Sequence, residues 1–435
     1  MRNNFTYQII NKEDFINKMI FYTKKYKYSC LLDSNFSQGK FPERYFQYDA
    51  IFAFDSTKML KSSNDSFDKL KCFHKEENDW LFGCLSYDLK NEIYDLRSEN
   101  TDNFCIENIV FFVPKYVFLL KDNILTIETF DNKDKIDCIY KEIMNTEIDK
   151  KKVNSLSLER RETKESYLNK VRRIKEHIQR GDIYEMNFCQ EFYNELADIS
   201  SPKLFYNLNK TTRSPFSSFL NIDNISVIGC SPERYLYKKK NKIISQPIKG
   251  TSRRSHDSKK DSELFYDLLK DQKELSENIM IVDLVRNDLS VTAQDSSVNV
   301  DVLCGVYTFS NVHQMISTIS SKVSDETNFT DVVKTTFPMG SMTGAPKFKA
   351  LNLIEKYEES KRGLFSGSVG YVTPSGDFDF NVVIRSLLYD SSTKYLSLSV
   401  GGAITSKSIP MKEYEECLIK AKPTFDLLRF ILDEE

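Results

Sequence analysis

Histidine and tryptophan are scarce in this chain, with four and one among 435 residues. So few histidines leave little material for a histidine-rich metal cage or a histidine-driven nucleophile. The nine cysteines are odd in number and contain no CxxC pair. That excludes a zinc cage and a disulfide framework and points to reduced thiols in the cytoplasm. An excess of one charge is also missing. Lys and Arg number 61 against 63 Asp and Glu, a net charge of −2, which offers no basic field for nucleic acid or an anionic membrane. The longest apolar stretch, Ile109 to Leu120, is broken by Pro114 and Lys115 and falls short of the ~20 residues that span a bilayer. MRNNFTYQIINKEDF, at the N-terminus, lacks the features of a secretory signal.

Several catalytic signatures are absent as well. No GxGxxG follows a strand, and GCLS at 83–86 lacks the second glycine of a nucleophile elbow. GSMTGAPK, residues 340–347, is no phosphate loop, because Ala345-Pro346 stand between Gly344 and Lys347. It reads instead as a Gly-containing turn at a helix N-terminus, where N–H groups suit a carboxylate. What remains is a globular, cytoplasmic chain. Its 40% hydrophobic and 13% aromatic residues supply a core, and its length fits one large or two to three domains at about 150 residues each.

The two halves differ. Residues 1–150 form a β-rich region with IENIVFFVPKYVFLL and NILTIETF joined at an Asp122-Asn123 hairpin turn. NTEIDKKKVNSLSLERRETKE reads as a linker or exposed crossover, or as a solvated helix end. Residues 160–430 form a second region. There Leu168, Val171, Ile174 and Ile178 recur at helical spacing, closed by Gly181. Leu264, Phe265, Leu268, Leu269 and Leu275 predict a helix running on into SENIMIVDLVRND, and another starts at Ala345-Pro346. The strands KIISQPIKG, FSGSVGYV, NVVIRSLLY and KYLSLSVGGAI fall between helices. This interspersion predicts an α+β fold with a large mixed or antiparallel sheet.

Glu274 and Glu277, like Glu413 and Glu416, are three residues apart, so each pair shares one helix face. Two such faces brought together supply oxygen ligands for Mg²⁺; taken singly they are solvated helix faces. Lys249, in QPIKGT, is either a strand-end charge in water or a desolvated amine with a lowered pKa, ready to act as a nucleophile. VGGAIT, residues 400–405, reads as a Gly-rich turn after a strand, a bend or a place for an anion.

Together these segments resemble the chorismate-utilising enzymes, and among them the component I of aminodeoxychorismate synthases. GDIYEMNFCQEF, SPFSSFL, SPER, QPIKGT, SENIMIVDLVRND, FPMGSMTGAPK, RGLFSGSVGY, NVVIRS, VGGAIT and EYEECLIKA follow in family order over residues 163–425, with fainter matches at LLDS and WLFGCLSYDL. The resemblance implies an anthranilate-synthase-component-I-like fold, a large β-sandwich core flanked by helices. It implies amination of chorismate with ammonia from a glutamine amidotransferase subunit, on the route to 4-aminobenzoate and folate. The chain carries no glutaminase motif of its own, so that partner is expected to be separate.

Lys249 separates the branches, since anthranilate-forming relatives carry Ala in PIAGT. Glu185 stands where water-activating relatives have Lys and amine-forming ones usually Gln. The resemblance implies Glu277 and Glu416 as Mg²⁺ ligands with Glu274 and Glu413 beside them, and Arg385 for the carboxylate of the enolpyruvyl arm. Lys420, Gly401 and Gly402 are further contacts; Ala403 replaces a usual glycine and needs a negative φ. Thr343 and Gly344 are expected to line the pocket. Gln314 occupies a position that is often His, and its neighbour His313 should face the opposite side of a strand. LLDS, with Leu32, Asp33 and Ser34, resembles part of a tryptophan pocket. The alternatives are anthranilate formation or a homologue that binds chorismate without turnover.

Overall fold

The computed structural model describes residues 2–35, 45–309 and 312–430. Two 13-residue strands, Ala50–Ser62 and Ile109–Lys121, pair along their length and bend together. The bend falls where Asp55 takes φ 59° and Ser56 faces Pro114, which has no N–H for the ladder. From the half around Tyr116, one branch leads through Ile124–Thr129 to Asn3–Gln8. On its other side it runs through Tyr28–Asp33, Phe216–Ile222, Ile225–Ser231, Ser386–Asp390 and Tyr395–Ile404 to Glu185–Asn194.

From the half around Phe111, a second branch passes through Leu81–Leu85, Ser368–Val372, Phe378–Asn381, Arg234–Lys239 and Lys242–Gln246. It ends on Val312–Lys322, which also carries Ile248–Arg253 and Asn299–Thr308. All these ladders are antiparallel, one of the two forms, mixed or antiparallel, that the α+β expectation allowed. Strands from both sides of residue 150 pair directly, Tyr28–Asp33 with Phe216–Ile222 and Leu81–Leu85 with Ser368–Val372.

Alternation explains why the central strands carry apolar residues toward both faces. Phe219, Ile228 and Leu387 pack among helices with Met19, Val171, Ile174 and Leu204. Their neighbours Leu220, Val227 and Leu388 turn to the other face, toward Phe82, Phe111, Leu236 and Phe380. With both faces covered, even the polar residues of these strands are buried and hydrogen-bonded, as Ser217, Asn221 and Ser226 are.

The expected helix over Leu168–Ile178 forms as Lys164–Gln179, with the Thr163 hydroxyl accepting the N–H of Ser166 and Gly181 at φ 81° after its end. The Asp122-Asn123 turn has both residues at positive φ, as a two-residue hairpin demands. No helix or strand occurs between Asn145 and Leu158, but the end of the expected linker is built into the fold, with Glu159–Arg160 paired to Tyr193 and Phe192. Other expectations need correction. The single helix through Leu264–Leu275 is two, Ser258–Lys270 and Gln272–Ser290. Asp271 is extended (φ −66°, ψ 111°), and its carboxylate caps the second helix at the N–H groups of Lys273 and Glu274. NVVIRSLLY is likewise interrupted, because Arg385 takes φ 51° before the strand Ser386–Asp390. VGGAIT is no turn. It lies within Tyr395–Ile404 up to Ile404, in unbroken register with Glu185–Asn194. Among the described residues no helix is long and apolar enough to cross a membrane.

Arg234 ties the second branch together. Its buried guanidinium forks onto Asp379 at 2.9 and 3.0 Å and donates to Gln246 Oε1 at 2.8 Å, with the Phe46, Phe216 and Tyr237 rings around it. Removing one member of such a pair strands the other charge. Arg234→Ala is therefore expected to lower unfolding stability by about 3–5 kcal/mol in urea denaturation. A loss below ~1 kcal/mol would show that water takes over the Asp379 carboxylate.

Candidate active site

A cavity of about 500 Å³ opens where Ile248–Arg253 and Val312–Lys322 of one branch approach Tyr395–Ile404 of the other. The helices Gln272–Ser290 and Pro410–Leu428 complete its wall. Lys249 enters through a β-bulge. Ile248 pairs with Ile316 and Thr251 with Gln314, so Lys249 and Gly250 together oppose Met315. Gly250 takes φ 95°, and a Cβ there would lie 3.2 Å from both Glu274 Oε2 and Met315 Cβ. Only glycine accepts that kink without strain. The Lys249 carbonyl receives the Asn278 amide at 3.3 Å, which fastens the bulge to the helix.

Lys249 Nζ donates to Glu185 Oε1 at 2.7 Å, and both side chains are buried. The expectation of a lowered lysine pKa is overturned. Burial does push Lys249 down, but Glu185, Glu277 and Glu233 outweigh it and hold the ammonium above its ordinary value. Glu185 is itself fixed from behind. Its strand pairs with Gly344-Ala345, and the Tyr184 N–H reaches the Ala345 carbonyl at 2.7 Å. A Cβ on Gly344 (φ 151°) would meet the Glu185 carbonyl at 2.2 Å.

The four expected carboxylates do come together from two helices. Glu274, Glu277 and Glu416 line the cavity, and Glu413 is buried beside them, its Oε1 3.5 Å from Lys273 Nζ. Lys273 is also 3.7 Å from Glu277, and the acidic neighbours raise its pKa against the opposing effect of burial. Burial pushes Glu277 up to about 7 and raises Glu274, whereas the Lys420 ammonium at 2.7 Å holds Glu416 down. Among the described residues no three His, Cys, Asp or Glu side chains already converge as a metal site. Glu413 Oε2 is nevertheless buried without a hydrogen-bond partner. An orphaned carboxylate oxygen beside three more carboxylates suits a hard divalent cation.

On the opposite wall, Arg385 has no ion-pair partner among the described residues, and burial lowers its pKa. Gln314 is fully buried, lines the cavity and leaves both amide atoms without partners. Gly401, Gly402 and Ala403 also line it, and Lys420 donates to the Gly401 carbonyl at 2.8 Å. Ala403 pairs with Asn187 inside a regular strand and is not among the positive-φ residues, so its Cβ brings no strain there.

His313 faces away, as expected, its ring between Thr308 and Asp261. Thr343 and Gly344 do not line the cavity. The Thr343 hydroxyl turns back onto the Met339 and Gly340 carbonyls, and Gly344 packs against the Glu185 strand. Leu32, Asp33 and Ser34 lie elsewhere, on a separate cavity of about 60 Å³.

Three charged cavity residues were not legible in the sequence, Arg253, Lys273 and Glu233. Glu233, in SPER, is buried, receives the Ser341 hydroxyl at 2.6 Å, and is pushed by burial up to about 7. Its signal was a charge between a strand and an apolar run, where solvent was not available to it.

A profile of the family described as chorismate binding enzyme matches residues 28–426. The aminodeoxychorismate synthase component 1 of Escherichia coli is 35% identical over 272 residues, 62% of this chain and 58% of that protein. A probable chloroplastic aminodeoxychorismate synthase of rice is 37% identical over 263 residues, 60% of this chain and 29% of that protein. An anthranilate synthase component I-like protein of Synechocystis is 32% identical over 79% of this chain and 71% of its own length. The aligned stretch thus spans well under two thirds of the first two relatives. The crystal structure of anthranilate synthase component I from Streptococcus pneumoniae superposes with TM-score 0.77, covering 87% of this chain and 92% of that one at 23% identity. The menaquinone-specific isochorismate synthase of Escherichia coli does so with TM-score 0.77 at 14% identity, covering 98% and 94%.

Because Glu233 titrates near 7 in the fold, against an ordinary 4.5, the folded chain binds more protons than the unfolded one between those values. Its contribution to stability therefore falls as pH rises through that window. Glu233→Gln removes the slope. The melting temperature of the variant minus that of the wild type is expected to rise by about 2–4 °C from pH 5 to pH 8; a flat difference would place the Glu233 carboxylate in water.

Proposed function

The chain belongs to the chorismate binding enzyme family, and from that footing we propose that it aminates chorismate at C4. The product is 4-amino-4-deoxychorismate, for 4-aminobenzoate and folate, with ammonia delivered by a separate glutamine amidotransferase subunit. In this reading residues 160–430 are the catalytic region, residues 1–150 an N-terminal companion, and the enzyme works in the cytoplasm. One observation carries it: a bulge aims Lys249, an amine, into a cavity that also holds Arg385, without an ion-pair partner among the described residues, and a protonatable carboxyl.

The roles follow from placement. The Lys249 amine attacks C2 of the ring as the C4–O bond breaks, and ammonia then attacks C4 and releases the lysine, so one hard substitution becomes two easier ones. Glu233, half-protonated near neutrality, supplies the proton to the departing hydroxyl. Arg385 offers its fork to the carboxylate of the enolpyruvyl arm. The bare backbone at Gly401 and Gly402 lets substrate approach the strand closely. Gln314 gives and takes a hydrogen bond but moves no proton, which leaves the acid role to Glu233.

Six carboxylates (Glu185, Glu233, Glu274, Glu277, Glu413, Glu416) and five cations (Lys249, Arg253, Lys273, Arg385, Lys420) surround or adjoin the cavity, formally 5 − 6 = −1. Alone that wall repels a dicarboxylate. Glu274, Glu277, Glu413 and Glu416 would hold Mg²⁺, whose charge cancels the excess, anchors the ring carboxylate and eases loss of the C4 oxygen.

The chain incubated with chorismate, Mg²⁺ and ammonium salt at alkaline pH is expected to yield aminodeoxychorismate by mass spectrometry, with the enolpyruvyl arm retained. Lys249→Ala should lower the yield at least ~10³-fold. Anthranilate with free pyruvate would assign the chain to the tryptophan branch, and chorismate binding without product would identify a silent homologue. Chelation by EDTA should abolish turnover and Mg²⁺ restore it; turnover that survives EDTA would remove the metal from the reading.

A further inference from the structure

A protonated amine has no lone pair to attack with, and Lys249 is held as an ammonium in its ion pair with Glu185. Its proton therefore needs a destination within the cavity. We propose that Glu185 takes the proton from Lys249 at the moment of attack and hands it back when the lysine departs. This rests on the amination reading above.

The geometry for such a transfer is complete in the fold. Nζ and Oε1 are 2.7 Å apart, and Glu185 is Lys249's ion-pair partner among the described residues. Both side chains are buried, Glu185 to 1% exposure, so no bulk water competes for the proton. Glu185 Oε2 is buried with no hydrogen-bond partner. The carboxylate can thus become a neutral acid without breaking any contact except the one to Lys249. Its backbone cannot drift, because Gly344-Ala345 pairs with Glu185-Met186 and leaves no space for even a methyl group at Gly344.

The other charges facing the pair come from three directions: Glu274 and Glu277 on the Gln272–Ser290 helix, Glu233 ahead of Arg234–Lys239, and Glu416 on the C-terminal helix. None of them lies within ion-pair distance of Nζ among the described residues, so Glu185 is the acceptor in contact.

In balance, the N–H proton of the ammonium moves to Glu185 Oε1 and the freed nitrogen lone pair forms the N–C2 bond. The ring double bonds shift, the C4–O bond breaks, and the oxygen leaves as water with the Glu233 proton. When ammonia forms the C4–N bond, the double bonds shift back and the C2–N bond breaks. The lysine nitrogen then recovers its proton from Glu185.

The test uses the full-length chain with chorismate, Mg²⁺ and ammonium salt. Glu185→Gln keeps the shape and a hydrogen bond to Lys249 but cannot accept a proton. It is expected to lower kcat about 100-fold or more, with KM for chorismate changed less than about threefold. Glu185→Ala should be equally slow and should recover with added formate, a rescue that a purely structural role would not show. Wild-type kcat in Glu185→Gln, or no formate rescue of a folded Glu185→Ala that still binds chorismate, overturns the proposal. Should Glu185→Gln fail to fold, formate rescue of Glu185→Ala and retained activity in Glu185→Asp decide the matter. Lys249→Ala separates the two levels. If it aminates at the wild-type rate, the lysine reading itself falls. If it is inactive while Glu185→Gln is fully active, only the role of Glu185 falls.

Discussion

Eleven charged side chains crowded around one cavity, five of them buried, set the terms for the rest of this fold. Each would be prohibitively costly alone. They persist because they are interleaved: Lys249 with Glu185, Lys273 between Glu277 and Glu413, and Lys420 between Glu416 and the Gly401 carbonyl. Such interleaving demands fixed backbones, and the long antiparallel ladders provide them. The Tyr395–Ile404 strand carries two glycines facing the cavity yet keeps register with Glu185–Asn194 over nine consecutive pairs. Lys249 and Glu185 thus sit on strands that cannot slip without breaking a ladder, while the helices Gln272–Ser290 and Pro410–Leu428 bring the other acids and lysines to them.

The same constraint explains where the backbone departs from regularity. The bulge at Lys249-Gly250, the left-handed Arg385 and the extended Asp271 each sit at or beside the cavity wall. A regular strand at residue 249 would alternate sides and could not present Lys249 while keeping Gln314 and Met315 in the ladder. The bulge re-aims one side chain at the expense of a local pairing. At Asp271, a break in what would be one long helix lets Glu274 and Glu277 begin a new helix with its own direction, its first turn capped by the same aspartate.

The titration of the site follows from burial rather than from residue type. Two glutamates, Glu233 and Glu277, sit near 7, while Glu416 is held low by a lysine one turn away. Chemically identical side chains thus divide into a proton carrier and a permanent anion by what surrounds them. Lys249 is the converse. A lysine in an apolar pocket should lose its proton, but this pocket is lined with acids, and the acids prevail.

Much of this was legible in the sequence, because it depends on local patterns. The capped helix after Thr163, the Asp122-Asn123 hairpin, the interspersed α+β pattern and the opposite facing of His313 and Gln314 all follow from periodicity, turn chemistry and strand alternation. The paired spacing of Glu274 with Glu277 and of Glu413 with Glu416 put each pair on one helix face. Tertiary structure alone decided what lay outside any local window. Whether those two faces meet, which acid reaches Lys249, and that Glu233 loses its water depend on strands hundreds of residues apart closing over one space. The sign of the Lys249 shift is the clearest instance. Desolvation can be guessed from apolar neighbours in the chain, whereas the field of Glu185, 64 positions away, exists only once Gly344 has let two backbones come together.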